Sequence, residues 1–215
     1  MSRKIIALTF DDGPSPDVTP AILDILAEFN IPATFFLIGQ NISPETEPVV
    51  QRAVSLGCEI GQHSFSHPVM TTLSATEINA EVDEATKRIE KITGTAPRFF
   101  RPPYCAVNDT MISLIPMTLI GGYGVGDYDP HLPVEVRIER LLKRAKDGSI
   151  LVMHDSQGNV NTVETVRRLI PALFGREYAF VTVSQLFAQK EIHPRPHDRV
   201  VYSFAEQLTM YAPDI

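Results

Sequence analysis

Short apolar runs rich in Ile, Val and Phe recur at residues 4–9, 33–38, 58–61, 98–100, 117–121, 149–153 and 179–182, with longer stretches of helical spacing between them. Runs that are apolar on both faces suit strands of a parallel sheet covered by helices, because a sheet with one wet face would alternate. The intervening stretches supply the cover. Residues 18–29 set Ile22, Leu23, Ile25 and Leu26 on one stripe behind Pro20, a residue accepted in a first helical turn. Residues 74–92 open with the capping-box spacing of Ser74 and Glu77 and close at Gly94, a C-cap signal. Further helices are expected over 44–56, 108–115, 133–146 and 162–174. This alternation predicts an α/β fold, a distorted or incomplete (β/α) barrel of about seven parallel strands, with a doubly wound open sheet as the other arrangement. In both, chemistry sits at the carboxyl ends of the strands.

A chain of 215 residues with 44% hydrophobic and 21% charged residues can bury a full core without metal or disulfide staples. Any metal it binds is then expected to serve chemistry. The net charge of -7, from 19 Lys and Arg against 26 Asp and Glu, argues against nucleic acid and anionic membranes as partners. Its apolar runs are far shorter than the roughly 20 residues of a membrane span. Met-Ser-Arg-Lys leads straight into a strand-like run, so the expected location is cytoplasmic as the sequence stands, or secreted or periplasmic if a leader has been removed. Cys58 and Cys105 are expected to be reduced and mostly buried. A catalytic domain is expected over 1–189. The extension over 190–215 carries Val200, Val201, Tyr202, Phe204 and Leu208; it is expected to pack on the barrel, cover the site or form a homo-oligomer contact.

Four motifs carry chemistry. Thr9-Phe10-Asp11-Asp12-Gly13-Pro14 ends the first strand, and neighbouring side chains diverge, so one acid can bind a cation while the other accepts a proton. His63 and His67 follow the third strand; on a helical turn their spacing puts both imidazoles on one face, as chelation of Zn²⁺ or a similar ion requires, and Asp12 would complete a facial triad. His193 and His197 share that spacing, but Pro194 and Pro196 forbid the turn, and the pair is assigned to an exposed tail. Arg101-Pro102-Pro103-Tyr104 follows the fourth strand: Arg101 can pair with an acid, and a proline-stiffened backbone can aim an N–H at a developing oxyanion. His154 ends an apolar strand, as a general acid or a hydrogen-bonded core residue would. Each motif alone is weak, and Asp-Asp-Gly-Pro is also an ordinary surface turn. Together they fall at the ends of successive strands, the edge where a β/α barrel assembles its site.

In that order the motifs resemble the polysaccharide deacetylases of carbohydrate esterase family 4, the NodB homology domain, over about residues 4–187. The resemblance rests on residues 9–14, 63–68, 101–104 and 152–154. It implies that Asp11 is the catalytic base and His154 the acid, that Arg101 orients Asp11, and that Asp12, His63 and His67 hold one divalent metal ion, Zn first, with Co, Ni or Mn as others. It also implies that the Tyr104 N–H, beside Pro103, helps bind the oxyanion and that Val152 lines the acetyl methyl site. The family's Asp-Trp motif has no match in a chain without Trp; the nearest equivalent pairs Asp127 as support for His154 with Tyr128 as the wall, and Asp129 rivals Asp127. Cys105 stands where the family commonly has Gly, and is read as a packed spectator. The implied function is metal-dependent removal of N-acetyl or O-acetyl groups from a carbohydrate, an N-acetylglucosamine-containing oligo- or polysaccharide first. Alternatives are an acetyl xylan esterase, a NodB-related amidase for a small acylated substrate, and a carbohydrate-binding barrel without catalysis; the retained Asp11 and His154 argue against the last.

Overall fold

The computed structural model describes residues 3–207. Seven parallel strands form one curled sheet: β1 (Lys4–Asp11), β2 (Thr34–Leu37), β3 (Glu59–Gln62), β4 (Phe99–Phe100), β5 (Thr118–Leu119), β6 (Ile150–His154) and β7 (Tyr178–Phe180). Their order is β5-β4-β3-β2-β1-β6, and β7 pairs with Lys4 to Ile6, the half of β1 that β2 does not reach. This is the incomplete barrel, not the doubly wound sheet. Seven helices follow in alternation: α1 (Val18–Phe29), α2 (Glu47–Ser55), α3 (Ala75–Thr93), α4 (Asp109–Leu114), α5 (Val134–Arg144), α6 (Val160–Phe174) and α7 (Val183–Gln189).

The expected helix signals act as read. Ser74 and Glu77 form a reciprocal capping box on α3, and Gly94 ends it in the left-handed region that a residue without Cβ adopts freely. α2 begins three residues later than the expected 44–56, because Ser43 and Thr46 first close a hydrogen-bonded turn. α6 starts at Val160, two residues before the expected 162. β5 shrinks to two residues because the chain beyond it turns to pair with the tail.

Strand alternation sorts β1 into two faces. Ile6, Leu8 and Phe10 join the layer packed against α1 and α6 with Ile22, Leu26, Val166 and Leu169. Ile5 and Ala7 face the other core, with Phe36, Phe99, Ile120 and Ile150. Burying each large apolar side chain of these layers is worth roughly 1.5–3 kcal/mol. By the period of two, Thr9 and Asp11 continue the inner face upward, so β1 delivers a carboxylate to the mouth of the barrel.

The barrel stays open between β5 and β6, and the described tail fills that gap. Tyr202 pairs with Ile120, Phe204 with Ser149, and the Ala205 N–H donates to the Gly148 carbonyl. Tyr202 is buried against Phe187. Leu208 lies outside the described residues. His193 and His197 lie apart from the strand ends, and the His197 Nδ1–H donates to the Ile112 carbonyl. Among the described residues, no helix is long and apolar enough to cross a membrane.

Candidate active site

Asp11 and His154 are register partners at the ends of adjacent strands β1 and β6, which fixes the two groups side by side. Beneath them lies Arg101, fully buried. Its guanidinium donates to Asp11 Oδ1 at 2.5 Å, to Thr9 Oγ1 at 2.8 Å and to the Gly121 carbonyl through both Nε and Nη2, and it lies 4.0 Å from the Phe36 ring centroid. A buried charge is tolerated only when paired and hydrogen-bonded, and every contact of Arg101 meets that condition. The expected pairing with an acid across the site is therefore present, with Asp11 Oδ1 occupied and Oδ2 left for a proton.

Asp12, His63 and His67 offer ligand atoms that all lie within 4.8 Å of one another, a group among the described residues that could hold a cation. The histidine pair is not on a helical turn, contrary to the sequence expectation. Ser64 and His67 both have positive φ, at 63° and 59°, and the intervening loop is held by Glu81, which accepts from the Phe65 and Ser66 N–H groups, and by Ser64 Oγ, which accepts from the His67 N–H. A bent loop thus does what a helix was expected to do, and nothing in His-x-x-x-His announces the acid on α3 that shapes it.

The cluster fits a divalent ion. The Asp12 carboxylate oxygen Oδ1 is buried without a hydrogen-bond partner, while His63 Nε2 stands 3.5 Å away and His67 Nε2 3.6 Å away. Those distances exceed a good hydrogen bond. They are near the roughly 3.3 Å that separates two ligands of one tetrahedral ion with bonds of about 2.0–2.1 Å. His63 Nδ1–H donates to the Arg101 carbonyl at 2.6 Å, which fixes the tautomer and leaves the Nε2 lone pair facing inward. Burial holds the His63 pKa below the ordinary imidazole range despite the nearby Asp11 and Asp12, so the ring is held toward its neutral form.

Opposite stands His154. Its Nδ1–H donates to Asp127 Oδ1 at 2.8 Å, and its backbone N–H donates to Asp127 Oδ2 at 2.8 Å. Burial alone would lower the pKa of this ring; the hydrogen bond and charge of Asp127, with Asp11 and Asp12 adding to them, outweigh it and push the value up to about 9. Asp127, fully buried, also accepts from Thr162 Oγ1. Asp129 instead accepts from His131 N–H and, through its carbonyl, from Arg137, so the partner of His154 is Asp127. Tyr128 meets His154 edge-on at 5.6 Å and Tyr104 meets His67 edge-on at 4.7 Å, while the two tyrosines are 69% and 65% exposed at the rim.

A hollow of about 680 Å³ joins these groups and is lined by Asp11, Asp12, His63, His67, Tyr104, Tyr128, Val152 and His154. The Tyr104 φ of 58° lies in the left-handed region, at the turn that Pro102 and Pro103 begin. Val152 lies at the hollow's base, and a Cβ on Gly122 would overlap its side chain, so glycine is required there. Cys58 is buried as expected, but Cys105 is exposed and lines the hollow, because the turn after Pro103 swings it outward.

Sequence reasoning missed two supports. Arg137 of α5 is fully buried and donates to the Leu132 and Asp129 carbonyls, Asn159 Oδ1 and Thr162 Oγ1, locking the loop that carries Asp127. An arginine four residues before Leu141 on the inward face of α5 was the one available signal. Asp155 is buried under Gly13, accepting from Thr19 Oγ1 at 2.5 Å while its N–H ties β6 to the Asp11 carbonyl. Burial first, then the neighbouring Asp12 and Asp11 charges, raise its pKa to about 7.

Comparisons with known proteins identify the family of the chain. Residues 1–116 match the family described as polysaccharide deacetylase. The chain is 43% identical over 193 residues to a bifunctional xylanase/deacetylase of Pseudobutyrivibrio xylanivorans, covering 90% of this chain and 32% of that protein. Among solved structures it resembles the Xyl-CE4 domain of a multidomain xylanase from the hindgut metagenome of Trinervitermes trinervoides, with TM-score 0.91 and 42% identity over 95% of this chain and 98% of that one. A family 4 acetyl xylan esterase from Clostridium thermocellum, in complex with a cobalt ion, superposes with TM-score 0.92 and 34% identity over 95% and 100% of the two chains. The chain spans 32%, 39% and 40% of the length of the first curated relatives it matches. This chain belongs to the polysaccharide deacetylase family, carbohydrate esterase family 4.

Proposed function

We propose that this chain removes acetyl groups from an acetylated carbohydrate by metal-dependent hydrolysis, and that O-acetylated xylan is its substrate. The observation that carries the reaction is the Asp11 and His154 pair at the ends of adjacent strands, facing the orphaned Asp12 carboxylate across one hollow. The substrate reading draws on two relatives above 40% identity, a bifunctional xylanase/deacetylase and a domain of a multidomain xylanase.

Asp12, His63 and His67 would hold the divalent ion, which when bound supplies Lewis acidity toward the acetyl carbonyl and the attacking water. Zinc suits two imidazoles and one carboxylate, and cobalt takes the same set. Asp11, oriented by Arg101, accepts a proton through Oδ2 as the water oxygen adds to the carbonyl carbon. The Tyr104 N–H stabilises the oxyanion that forms. His154, kept as imidazolium by Asp127, donates its Nε2 proton to the leaving sugar oxygen as the C–O bond breaks, releasing acetate. Val152 bounds the space for the methyl group.

The N-acetylglucosamine reading draws on the same imidazolium, which through neutral pH can protonate a leaving nitrogen as well as an oxygen. Acetate release from acetylated xylo-oligosaccharides and from chito-oligosaccharides, measured on the metal-loaded chain, tests the choice. Faster release from the xylo-oligosaccharides is expected; faster release from the chito-oligosaccharides reverses the substrate, and release from neither removes the deacetylase reading. Replacing a ligand as in His63→Ala is expected to abolish both metal uptake and turnover.

A further inference from the structure

The carbonyl that holds Arg101 belongs to the peptide unit joining Gly121 to Gly122, and the N–H of that same unit meets the tail. The Gly121 carbonyl accepts from Arg101 Nε at 2.9 Å and from Nη2 at 2.6 Å. The Gly122 N–H donates to Ser203 Oγ at 3.1 Å. The unit is trans, so its C=O and N–H point in opposite directions in one plane, and a group that fixes the N–H also aims the carbonyl. Both flanking residues are glycine, which puts no Cβ in the way of rotation about the axis of the unit. Close packing limits displacement but not that rotation: a Cβ on Gly122 would lie 2.2 Å from Val152 Cγ2 and 3.3 Å from Arg101 Nη2.

Strand pairing leaves the N–H groups of this turn to the tail. β5 ends at Leu119, and the Gly121 N–H donates to the Tyr202 carbonyl at 2.9 Å, one residue before the Ser203 hydroxyl takes the Gly122 N–H. Ser203 is anchored at both of its own backbone groups. Its N–H donates to Gln207 Oε1 at 2.6 Å, and its carbonyl accepts from the Ile150 N–H of β6 at 3.1 Å. One residue of the tail is therefore tied both to the strand that ends in His154 and to the peptide that holds Arg101 under Asp11. A hydroxyl that accepts from the N–H of a peptide also polarises its carbonyl, which strengthens the bonds that Arg101 makes to it.

We propose that Ser203 is a positioning residue for the base Asp11, acting in series through the peptide between Gly121 and Gly122 and through Arg101. The inference rests on the deacetylase reading and deepens it: the tail that fills the gap between β5 and β6 also keeps the base aimed at the hollow. Ser203 touches neither substrate nor the reacting atoms. Its effect therefore requires the planar fork of Arg101, which reaches the Gly121 carbonyl through Nε and Nη2 and Asp11 through Nη1.

The test is a double-mutant cycle on the metal-loaded full chain, with Ser203→Ala and with Arg101→Lys, which keeps a charge beside Asp11 but gives up the fork. Acetate release from whichever acetylated oligosaccharide the parent hydrolyses supplies kcat and KM. Ser203→Ala is expected to lower kcat about fivefold, as loss of one neutral hydrogen bond would, with KM and metal content unchanged. Ser203→Thr keeps the acceptor and should hold kcat within about twofold of the parent. In the Arg101→Lys background, Ser203→Ala should cost less than about twofold, because no fork remains to be aimed. The same fivefold loss in both backgrounds would make Ser203 a mere closure of the barrel and overturns the proposal; so does a KM that rises while kcat is kept, or a threonine variant as slow as the alanine one. A further measurement needs no turnover: solvent exchange of the Arg101 Nε proton, followed by NMR in an isotopically labelled chain. Faster exchange in Ser203→Ala than in the parent supports the coupling even if no acetate is released from any substrate, which would end the deacetylase reading alone, and equal exchange refutes it.

Discussion

Two fully buried arginines hold the two walls of the site in different ways. Arg101 lies under the wall made by β1, β3 and β4, and its partner is the ionised Asp11. Arg137 lies under the wall made by residues 121–130, and its hydrogen bonds go to neutral oxygens of Leu132, Asp129, Asn159 and Thr162. The first wall sets Asp11 and the cluster of Asp12, His63 and His67 by strand register and tight turns, so its geometry is decided close to each residue. The second has no strand of its own and holds Asp127 through α5 and α6. Its exposed face carries Tyr128, 69% exposed above the buried Asp127.

The contrast can be broken most severely at Arg101. Arg101→Met should cost about 3–5 kcal/mol by stranding a buried carboxylate, read as a fall in chemical-denaturation midpoint at pH 7. An unchanged midpoint would mean that Asp11 finds another partner. Asp11→Asn should reduce kcat by on the order of 10²–10⁴ while metal content, measured by atomic absorption, stays at the parent level. Joint loss of metal and activity would make Asp11 a ligand instead.

Arg137→Met should cost less than Arg101→Met, about 1–3 kcal/mol, because it leaves neutral acceptors unpaired instead of a charge. Comparing the two midpoints in one denaturant series checks the difference between the walls, and an equal cost would erase it.

The folded pKa of His154, about 9, lies above its ordinary value, so the charged ring stabilises the fold fully at low pH and that contribution disappears as pH climbs through about 9. The imidazolium needed as an acid disappears over the same range. Asp127→Asn removes the charge that raises the value, so the alkaline limb of kcat should move to lower pH; a limb that stays in place would detach it from His154. The smallest effect is expected at Tyr128. Tyr128→Ala should raise KM severalfold, about 1 kcal/mol, with little change in kcat, as loss of an exposed ring that contacts sugar would.

Much of the first wall was legible in the sequence because its signals are local. Two adjacent acids before Gly-Pro and an Arg before two prolines each sit within one strand end of that wall, and His154, closing β6 opposite, is as local a signal. The metal pair was legible in identity but not in shape: the spacing suggested a helical turn, while Glu81 and Ser64 bend the chain into a loop. The second wall was half legible. Asp127 and Asp129 could not be ranked, since only the three-dimensional path of residues 121–130 brings one of them to His154. Arg137 was unreadable as a support because its partners lie on other elements. The exposure of Cys105 was missed for a similar reason, a turn whose direction is set by backbone angles.

The sequence by itself determined the short, wholly apolar strand runs, the capped helices between them and the placement of reactive side chains at strand ends, because apolar run length and capping act over a few residues. Only the tertiary structure decided that the sheet curls, that Asp12, His63 and His67 converge within 4.8 Å, that the described tail fills the gap between β5 and β6, and that Asp127 meets His154. Those outcomes depend on which distant groups pack together. Charge, burial and hydrogen-bond partners are properties of that packing.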